Sequence, residues 1–324
     1  MARMALARFR NTAPRPVAGG KSNLWFGWAM ALTSTLAFSV APPISKGAIT
    51  AGMHPTTLLM MRLIITTLLL GLTIMLTAPE RLRLDRRGLA VCLIAGFCNG
   101  IGMVAFFWAL ARLEASVTSM IFSLSPLAVL GLLALRGEKF TYRQIVRLAL
   151  GLSGVYLLIG PGSALKGGID WLGVALVFVT IFVSAIHLTL IQWFLQDYDA
   201  RTVTLYTVAT MTAVSIGFWL FQGVAWRDPG WSGWLAILVL AVVSTYLSRL
   251  ALFAGVRYLG SGQMALLLPL ETLLTITWSV LFLREWLTLW QWVGGLLILL
   301  SALLTVKRLQ WTRKRTRWRV WTRP

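Results

Sequence analysis

Acidic, histidine and cysteine side chains are scarce in this chain of 324 residues, which contains 10 Asp and Glu, 2 His and 2 Cys. Metal centres and nucleophilic active sites are built from clusters of such side chains. The two histidines lie in separate apolar segments, and Cys92 and Cys98 share one apolar helix without metal or disulfide spacing. We therefore expect no enzyme, no catalytic residue, no metal and no cofactor. A Gly-rich phosphate loop ending in Lys-Ser or Lys-Thr is also absent, which excludes ATP as the direct driving force.

Charged residues are scarce as well. They make up 12% of the chain, whereas 58% is hydrophobic, far too apolar for a soluble domain. The apolar runs are each about twenty residues long, enough to cross a bilayer as a helix, and the period-two alternation of barrel strands is missing. The sequence therefore predicts an all-α polytopic membrane protein. The apolar runs predict ten spans, at residues 24–48, 55–78, 88–110, 115–136, 142–160, 171–195, 202–225, 231–256, 262–283 and 288–307.

The net charge of +20 is concentrated at the two ends of the chain and in alternate loops. Basic residues collect on the cytoplasmic side of membrane proteins, so we expect both termini in the cytoplasm and the protein in a plasma (inner) membrane. An organelle membrane is the less favoured alternative, because the acid-free, Arg-rich start also resembles a transit peptide. In the tail, Trp311, Trp318 and Trp321 share one helical face among arginines. This pattern predicts binding to the anionic inner leaflet of the lipid bilayer rather than to nucleic acid.

One helix-corner pattern, Glu-x-x-Thr-x-x-Gln, occurs twice. Its copies are Glu138, Thr141, Gln144 and Glu285, Thr288, Gln291. The Thr and Gln have the spacing of a capping box, in which Thr accepts from the backbone at the start of a helix and Gln reaches back. Recurrence about half a chain apart indicates a duplicated unit. Each unit has five predicted spans, and an odd number places the second unit upside down in the membrane.

The duplication divides the chain into repeats and flanking segments. The predicted segments are a basic cytoplasmic arm at 1–23, a first five-helix repeat at 24–160, a linker at 161–170, a second five-helix repeat at 171–307 and a basic cytoplasmic tail at 308–324. No feature of the sequence indicates an oligomeric state.

Several short motifs give the chain a family resemblance. His54-Pro55 is followed by Arg62, Leu270-Glu271 lies early in the ninth predicted span, and each repeat contains one of the two Glu-x-x-Thr-x-x-Gln corners. Together they resemble the drug/metabolite transporter superfamily, specifically its EamA-type carriers. The resemblance implies ten helices as two inverted five-helix repeats and export or exchange of small metabolites, often amino acids. The chain departs from that pattern at Thr272, where relatives have Pro, and at Pro42-Pro43, which relatives usually lack.

Polar side chains within the spans are the candidates for a site, because they are costly in a bilayer. Glu271 is the one deep acid and is a candidate coupling or substrate-ammonium site. Arg249 lies equally far from the turn between the eighth and ninth spans, so we expect it to pair with Glu271. His187 is either a substrate ligand or, more in keeping with its setting, a packed histidine bonded across helices. Arg62 and Lys46 are expected to extend toward the outer headgroups.

Further candidates lie beside helix breaks or at equivalent places in the repeats. Pro frees a backbone carbonyl, and such kinks expose backbone to ligands in transporters. These candidate residues are Asn99, Ser244, Ser123, Ser125, Pro126, Pro269 and Gln263. The sequence favours a secondary carrier of a small-molecule substrate with a cavity between the repeats. One alternative is a sugar-nucleotide or phosphate-ester translocator of the same superfamily. Another, from a different class, is a channel or receptor.

Overall fold

In this computed structural model the chain folds into apolar helices. The structure describes residues 21–77, 79–82, 84–134, 146, 149–158, 170–195, 198–259, 264, 267–301 and 304. No strand occurs among these described residues. The helices of the first half are α1 (Lys21–Ser39 and Ala41–Thr50), α2 (Pro55–Thr77), α3 (Arg86–Arg112), α4 (Ala115–Phe122 and Ser125–Ala134) and α5 (Ala149–Leu158). Those of the second half are α6 (Trp171–Phe194), α7 (Ala200–Phe221), α8 (Gly230–Leu238, Val239–Leu247 and Ser248–Leu259), α9 (Leu268–Leu283) and α10 (Leu289–Ser301).

Five of these helices, α2, α3, α6, α7 and α8, are long and apolar enough to cross a bilayer. The described parts of α4, α5, α9 and α10 are shorter apolar helices, and α1 consists of two segments joined at Val40. The prediction of an all-α membrane protein built from two inverted five-helix repeats is confirmed. The first corner residues Glu138, Thr141 and Gln144, together with Gln263, lie outside the described residues.

The helix ends follow from local sequence. Asp85, Asp170 and Asp199 precede α3, α6 and α7, and each carboxylate accepts a backbone N–H of the first turn, from Gly88 at 3.1 Å, Gly173 at 2.9 Å and Arg201 at 2.9 Å. Such N-caps satisfy donors that a helix start leaves unpaired. At the end of α9, Arg284 adopts a left-handed backbone with φ of 54°, the conformation that commonly closes a helix.

Proline interrupts two helices, and the break at Pro126 is one that the sequence predicts. In α1 the chain turns at Val40, immediately before Ala41 and Pro42, and Pro occupies the start of the second segment. In α4 it turns at Ser123 and Leu124, ahead of Pro126. Because Pro lacks a backbone N–H and clashes with the preceding turn, a continuous helix is disfavoured at both points.

The repeats exchange their first helices. α1 packs against α8 and α9 of the second half, and α6 packs against α3 and α4 of the first half. The described parts of α8 and α9 scarcely touch each other, because α1 contacts both. At the crossing of α5 and α10, a Cβ on Gly154 would lie 2.6 Å from the carbonyl oxygen of Gly294, so the two backbones meet there without side chains between them.

Two buried clusters hold the halves together. One joins α1, α2, α3, α7 and α8 and includes Leu59, Leu63, Phe107 and Leu240. The other joins α3, α4, α5, α6, α9 and α10 and includes Met120, Ile181, Ile276 and Ile298. Both clusters take residues from both repeats, so the packing that stabilises the fold also holds the two repeats together.

Candidate functional site

Arg62 is buried within the bundle, with 6% of its surface exposed. Its Nε donates to the Thr245 hydroxyl at 2.8 Å, and its guanidinium carbon lies 5.9 Å from the centroid of the Phe107 ring. The prediction that Arg62 extends to the outer headgroups is therefore wrong. A hydroxyl and an aromatic face are available on α8 and α3, and they compensate part of the cost of the buried cation.

Lys46 also departs from the sequence prediction. Its Nζ donates to the carbonyl oxygen of Leu110 at 2.8 Å, instead of reaching the outer headgroups. The last carbonyls of a helix have no partner within that helix. The ammonium of Lys46 supplies one at the end of α3, and this contact ties α1 to α3.

The middle segment of α8, Val239–Leu247, is π-helical. Thr245 donates to the carbonyl oxygen of Leu240, five residues back, at 2.8 Å, and accepts from Arg62. Ser244 is fully buried, and its hydroxyl has no hydrogen-bond partner among the described residues. Single π segments inside α-helices occur frequently at functional sites, and this one presents two hydroxyls to the bundle interior.

Arg249 follows one turn after Thr245 on α8, so it lies on the same face of the helix. It is only partly exposed, and its Nε has no hydrogen-bond partner within the described ranges. Its charge interacts with both Arg62 and His187. The structure thus brings two arginines and a histidine, from α2, α8 and α6, to one region.

The predicted pair of Glu271 and Arg249 does not form. No salt bridge joins these two residues, both of which are described. The prediction assumed that α8 and α9 pack as a hairpin, whereas α1 packs against both. The Ser34 hydroxyl of α1 donates to the Ser248 carbonyl of α8 at 3.0 Å, and Thr275 of α9 donates to the Ser39 carbonyl at 3.0 Å.

His187 and Asn99 contact neighbouring helices. The Nδ1 of His187 lies 2.9 Å from the carbonyl oxygen of Ala95 on α3, the bond across helices that the packed-histidine interpretation predicts. The Asn99 amide donates to the sulfur of Met211 on α7 at 3.3 Å, a weak acceptor. Both side chains are partly exposed, so each retains polar surface beyond these contacts.

The candidates at the helix breaks are largely engaged locally. The hydroxyl of Ser123 donates to the Met120 carbonyl at 2.6 Å, and that of Ser125 donates to the Phe122 carbonyl at 2.5 Å. These bonds satisfy carbonyls freed near Pro126. Pro269 stands at the start of α9 and is buried. In the described residues, these four positions therefore shape α4 and α9 rather than join the arginines.

The second helix corner has a contact that the sequence did not indicate. Glu285 is buried, and its carboxylate accepts from the Ala115 N–H at 2.7 Å, the Ser116 N–H at 3.0 Å and the Ser116 hydroxyl at 2.5 Å. An anion there satisfies unpaired donors and the positive end of the α4 dipole. The corner between α9 and α10 thereby fastens the start of α4 in the other repeat.

The capping box of that corner is also present. The Thr288 N–H donates to the Gln291 side-chain oxygen at 2.9 Å, and the Gln291 N–H donates to the Thr288 hydroxyl at 3.3 Å. This reciprocal pair starts α10, while Glu285 caps α4. One short motif thus stabilises the starts of two helices.

Charged groups at the helix ends lie outside the spans. The Asp170 carboxylate accepts from the Gly173 N–H and, at 2.9 Å, from Arg112, and these bonds hold its pKa below its ordinary value. At the start of α3, the Tyr198 hydroxyl donates to Asp85 at 2.6 Å. This bond lowers the pKa of Asp85 and raises the pKa of Tyr198. These contacts fix the loops and take no part in the cluster on α2, α6 and α8.

An apolar cavity of about 220 Å³ lies between α1 and α9, lined by Val40, Pro43, Trp278 and Phe282 among others. It contains none of the polar candidates, so it is not the candidate site. Within the described ranges, no three His, Cys, Asp or Glu side chains come together as metal ligands. The chemistry that the described site offers is recognition by two guanidinium groups, an imidazole and hydroxyls.

Comparison with known proteins places this architecture among transporters. The model of the EamA-like transporter family matches residues 25–160 and 171–307. An uncharacterised transporter of Archaeoglobus fulgidus is 25% identical over 64% of this chain and 72% of its own length. The uncharacterised transporter YcbK of Bacillus subtilis is 24% identical over 83% of this chain and 88% of its own length. A protein crystal structure superposes with a TM-score of 0.56 at 20% identity, covering 90% of this chain and 99% of the other, which supports the fold.

Proposed function

Because the chain belongs to the EamA-like transporter family, we propose that it is a secondary carrier that exports or exchanges small organic metabolites, such as amino acids, by alternating access. The observation that carries this proposal is the cluster of polar side chains between the repeats. Arg62, Arg249 and His187 come from three helices of both repeats, at depths where charge is costly. Such side chains are retained in membrane proteins chiefly for substrate and ion pathways.

The exchange of first helices supports alternating access. α1 belongs to the first repeat but packs on α8 and α9, and α6 belongs to the second but packs on α3 and α4. Rocking of one repeat against the other therefore moves α8, which bears Arg249, relative to α2, which bears Arg62. Inverted repeats give two such arrangements, one open to each side.

Glu271 is proposed as a coupling acid that is separate from the arginines. It lies in the first turn of α9 as described and is partly exposed. No hydrogen bond or ion pair of its side chain occurs among the described residues. An acid within a span that has no such partner in the described structure is available to bind a coupling cation or a substrate ammonium group.

The proposed orientation places both termini in the cytoplasm of a plasma (inner) membrane. The repeats are proposed to occupy 24–160 and 171–307, with the basic tail 308–324 on the anionic leaflet. The excess of basic residues in alternate loops supports this orientation. A reporter that is active on only one side of the membrane, fused after residue 324, tests it, and an external signal would contradict it.

Export can be tested while the substrate is unidentified. Cells that overproduce the wild-type chain are compared with cells that contain equal amounts of Arg249→Gln, and small metabolites in the medium are measured by mass spectrometry. The proposal predicts that a small set of metabolites accumulates outside the wild-type cells alone. Media of wild-type cells that match those of cells without the chain would contradict a role in export, whereas identical media from the wild-type and Arg249→Gln strains would contradict only the role of Arg249.

A further inference from the structure

From the placement of Arg62 and Arg249, we infer that the carrier recognises its substrate through a carboxylate, which binds between these two guanidinium groups beside the π-helical segment of α8. This inference rests on the proposed carrier function and names its substrate class. The binding partner is a small organic anion, whose carboxylate offers two acceptor oxygens that match the planar donor fork of arginine.

The first step of the argument is charge balance. Arginine stays protonated in proteins, so Arg62 and Arg249 bring two positive charges that interact with each other. Neither forms an ion pair with an acid among the described residues. Glu271, the one acid deep in a span, lies on α9, and the described parts of α9 and α8 have few contacts with each other. Among the described residues, no negative charge therefore balances these two arginines.

The second step is hydrogen bonding. Arg62 uses its Nε on Thr245, and the Phe107 ring faces its guanidinium. Arg249 has neither kind of partner, and its buried Nε is unpaired in the described structure. Buried donors without partners are uncommon in native proteins and call for a ligand or water. Arg249 is thus the group with the most donor capacity left for an anion.

The third step is the geometry of α8. Thr245 contacts Arg62, and Arg249 follows four residues later, so both lie on the face that is turned toward α2. Ser244, the residue before Thr245, has a buried hydroxyl without a hydrogen-bond partner in the described structure. At about 1.5 Å per residue, Arg249 lies some 15 Å from Leu259 at the end of α8, which is deep within a bilayer.

A carboxylate fits this site better than a nucleotide or a phosphate ester of a sugar. Those substrates carry larger and more highly charged groups, whereas the described site contains two arginines with one hydroxyl already bonded to Arg62. His187 is held against the Ala95 carbonyl, so its free nitrogen adds at most one further donor or acceptor. One carboxylate with a small organic body matches this donor set.

The experiment measures thermal unfolding of the full-length protein in lipid nanodiscs at constant ionic strength. The probes are glutamate, succinate and benzoate, each compared with its neutral amide, together with glucose 1-phosphate compared with glucose. A ligand that binds the folded state raises the unfolding midpoint. We expect at least one carboxylate to raise it while its amide does not, both in the wild type and in the control Arg201→Gln, which removes one exposed charge.

Variants at Arg249 decide the outcome. Arg249→Gln should abolish the carboxylate-dependent rise. Arg249→Lys keeps the charge but loses the fork, and it should weaken carboxylate binding about tenfold or more. If Arg249→Gln does not fold, Arg249→Lys is compared with the wild type instead. The inference is overturned if no carboxylate raises the midpoint, if amides act equally, if only glucose 1-phosphate acts, or if Arg249→Lys binds as the wild type does.

The experiments distinguish an error in the inferred substrate class from an error in the proposed carrier function. Export of neutral or cationic metabolites without carboxylate binding would refute the anion site and leave the carrier. Carboxylate binding that depends on Arg249, with no metabolite exported or exchanged, would support the site and refute the carrier.

Discussion

Replacing Glu285 with Gln should weaken the attachment between the repeats. In the wild type, the Glu285 carboxylate accepts three hydrogen bonds from Ala115 and Ser116 at the start of α4. Gln retains one acceptor oxygen and presents an amide donor to groups that are themselves donors. Hydrogen bonds to a charged group contribute about 1.5–3 kcal/mol each. Loss of the charge and of at least one bond should therefore lower the free energy of unfolding by about 2–4 kcal/mol.

The assay is the thermal unfolding midpoint in nanodiscs, measured at one scan rate because membrane proteins of this size often unfold irreversibly. Glu80→Gln is the matched control, since Glu80 is exposed and its replacement should leave the midpoint unchanged. Ser116→Ala removes one of the three bonds and should give a smaller decrease than Glu285→Gln. The double variant should lose less than the sum, because both changes remove the same hydroxyl-carboxylate bond. Equal midpoints for the Glu285 and Glu80 variants would refute the attachment.

Three further predictions concern helix ends and close packing. Thr288→Ala removes a cap of α10 and should lower the stability by on the order of 1 kcal/mol, while transport per folded molecule is retained; loss of transport at unchanged stability would contradict a purely structural cap. The pKa of Asp170 is lowered in the folded state, so its contribution to the free energy of unfolding is present at neutral pH and is lost as the pH falls through that pKa. The difference in unfolding midpoint between the wild type and Asp170→Asn should therefore vanish in acid. A difference that does not depend on pH would refute this contribution. Gly154→Ala should cost about 1–3 kcal/mol by overpacking against Gly294, whereas Gly131→Ala, with open space around it, should cost nothing measurable; equal effects on unfolding would contradict the close crossing.

The fold could be predicted from the sequence because few backbone structures are stable across a lipid bilayer. Runs of about twenty apolar residues must form helices in a membrane, and Pro42 and Pro126 mark where two of those helices break. The corner of Thr288 and Gln291 is specified by residues only three apart, so its capping box is also predictable. These features depend on local sequence or on the solvent.

The candidate site was harder to predict from the sequence, because it depends on which helices pack against each other. Glu271 and Arg249 are equally far from their turn, and that distance fixes depth but not neighbours. The packing of α1 against both α8 and α9 is a tertiary arrangement with no local signal. The same holds for Arg62, whose partners Thr245 and Phe107 are far away in the sequence. The bond from Glu285 to Ser116 crosses 169 residues and likewise has no signature in either segment.

The central claim, that a polar site between the repeats is exposed to each side of the membrane in turn, is tested most directly by thiol accessibility. Cys92 and Cys98 are replaced by Ser, and Asn99, which is partly exposed beside α7, is replaced by Cys. A membrane-impermeant thiol reagent is then added to right-side-out and to inside-out vesicles. Alternating access predicts that the new thiol is labelled from both sides. Labelling from one side alone, or from neither, would contradict the account.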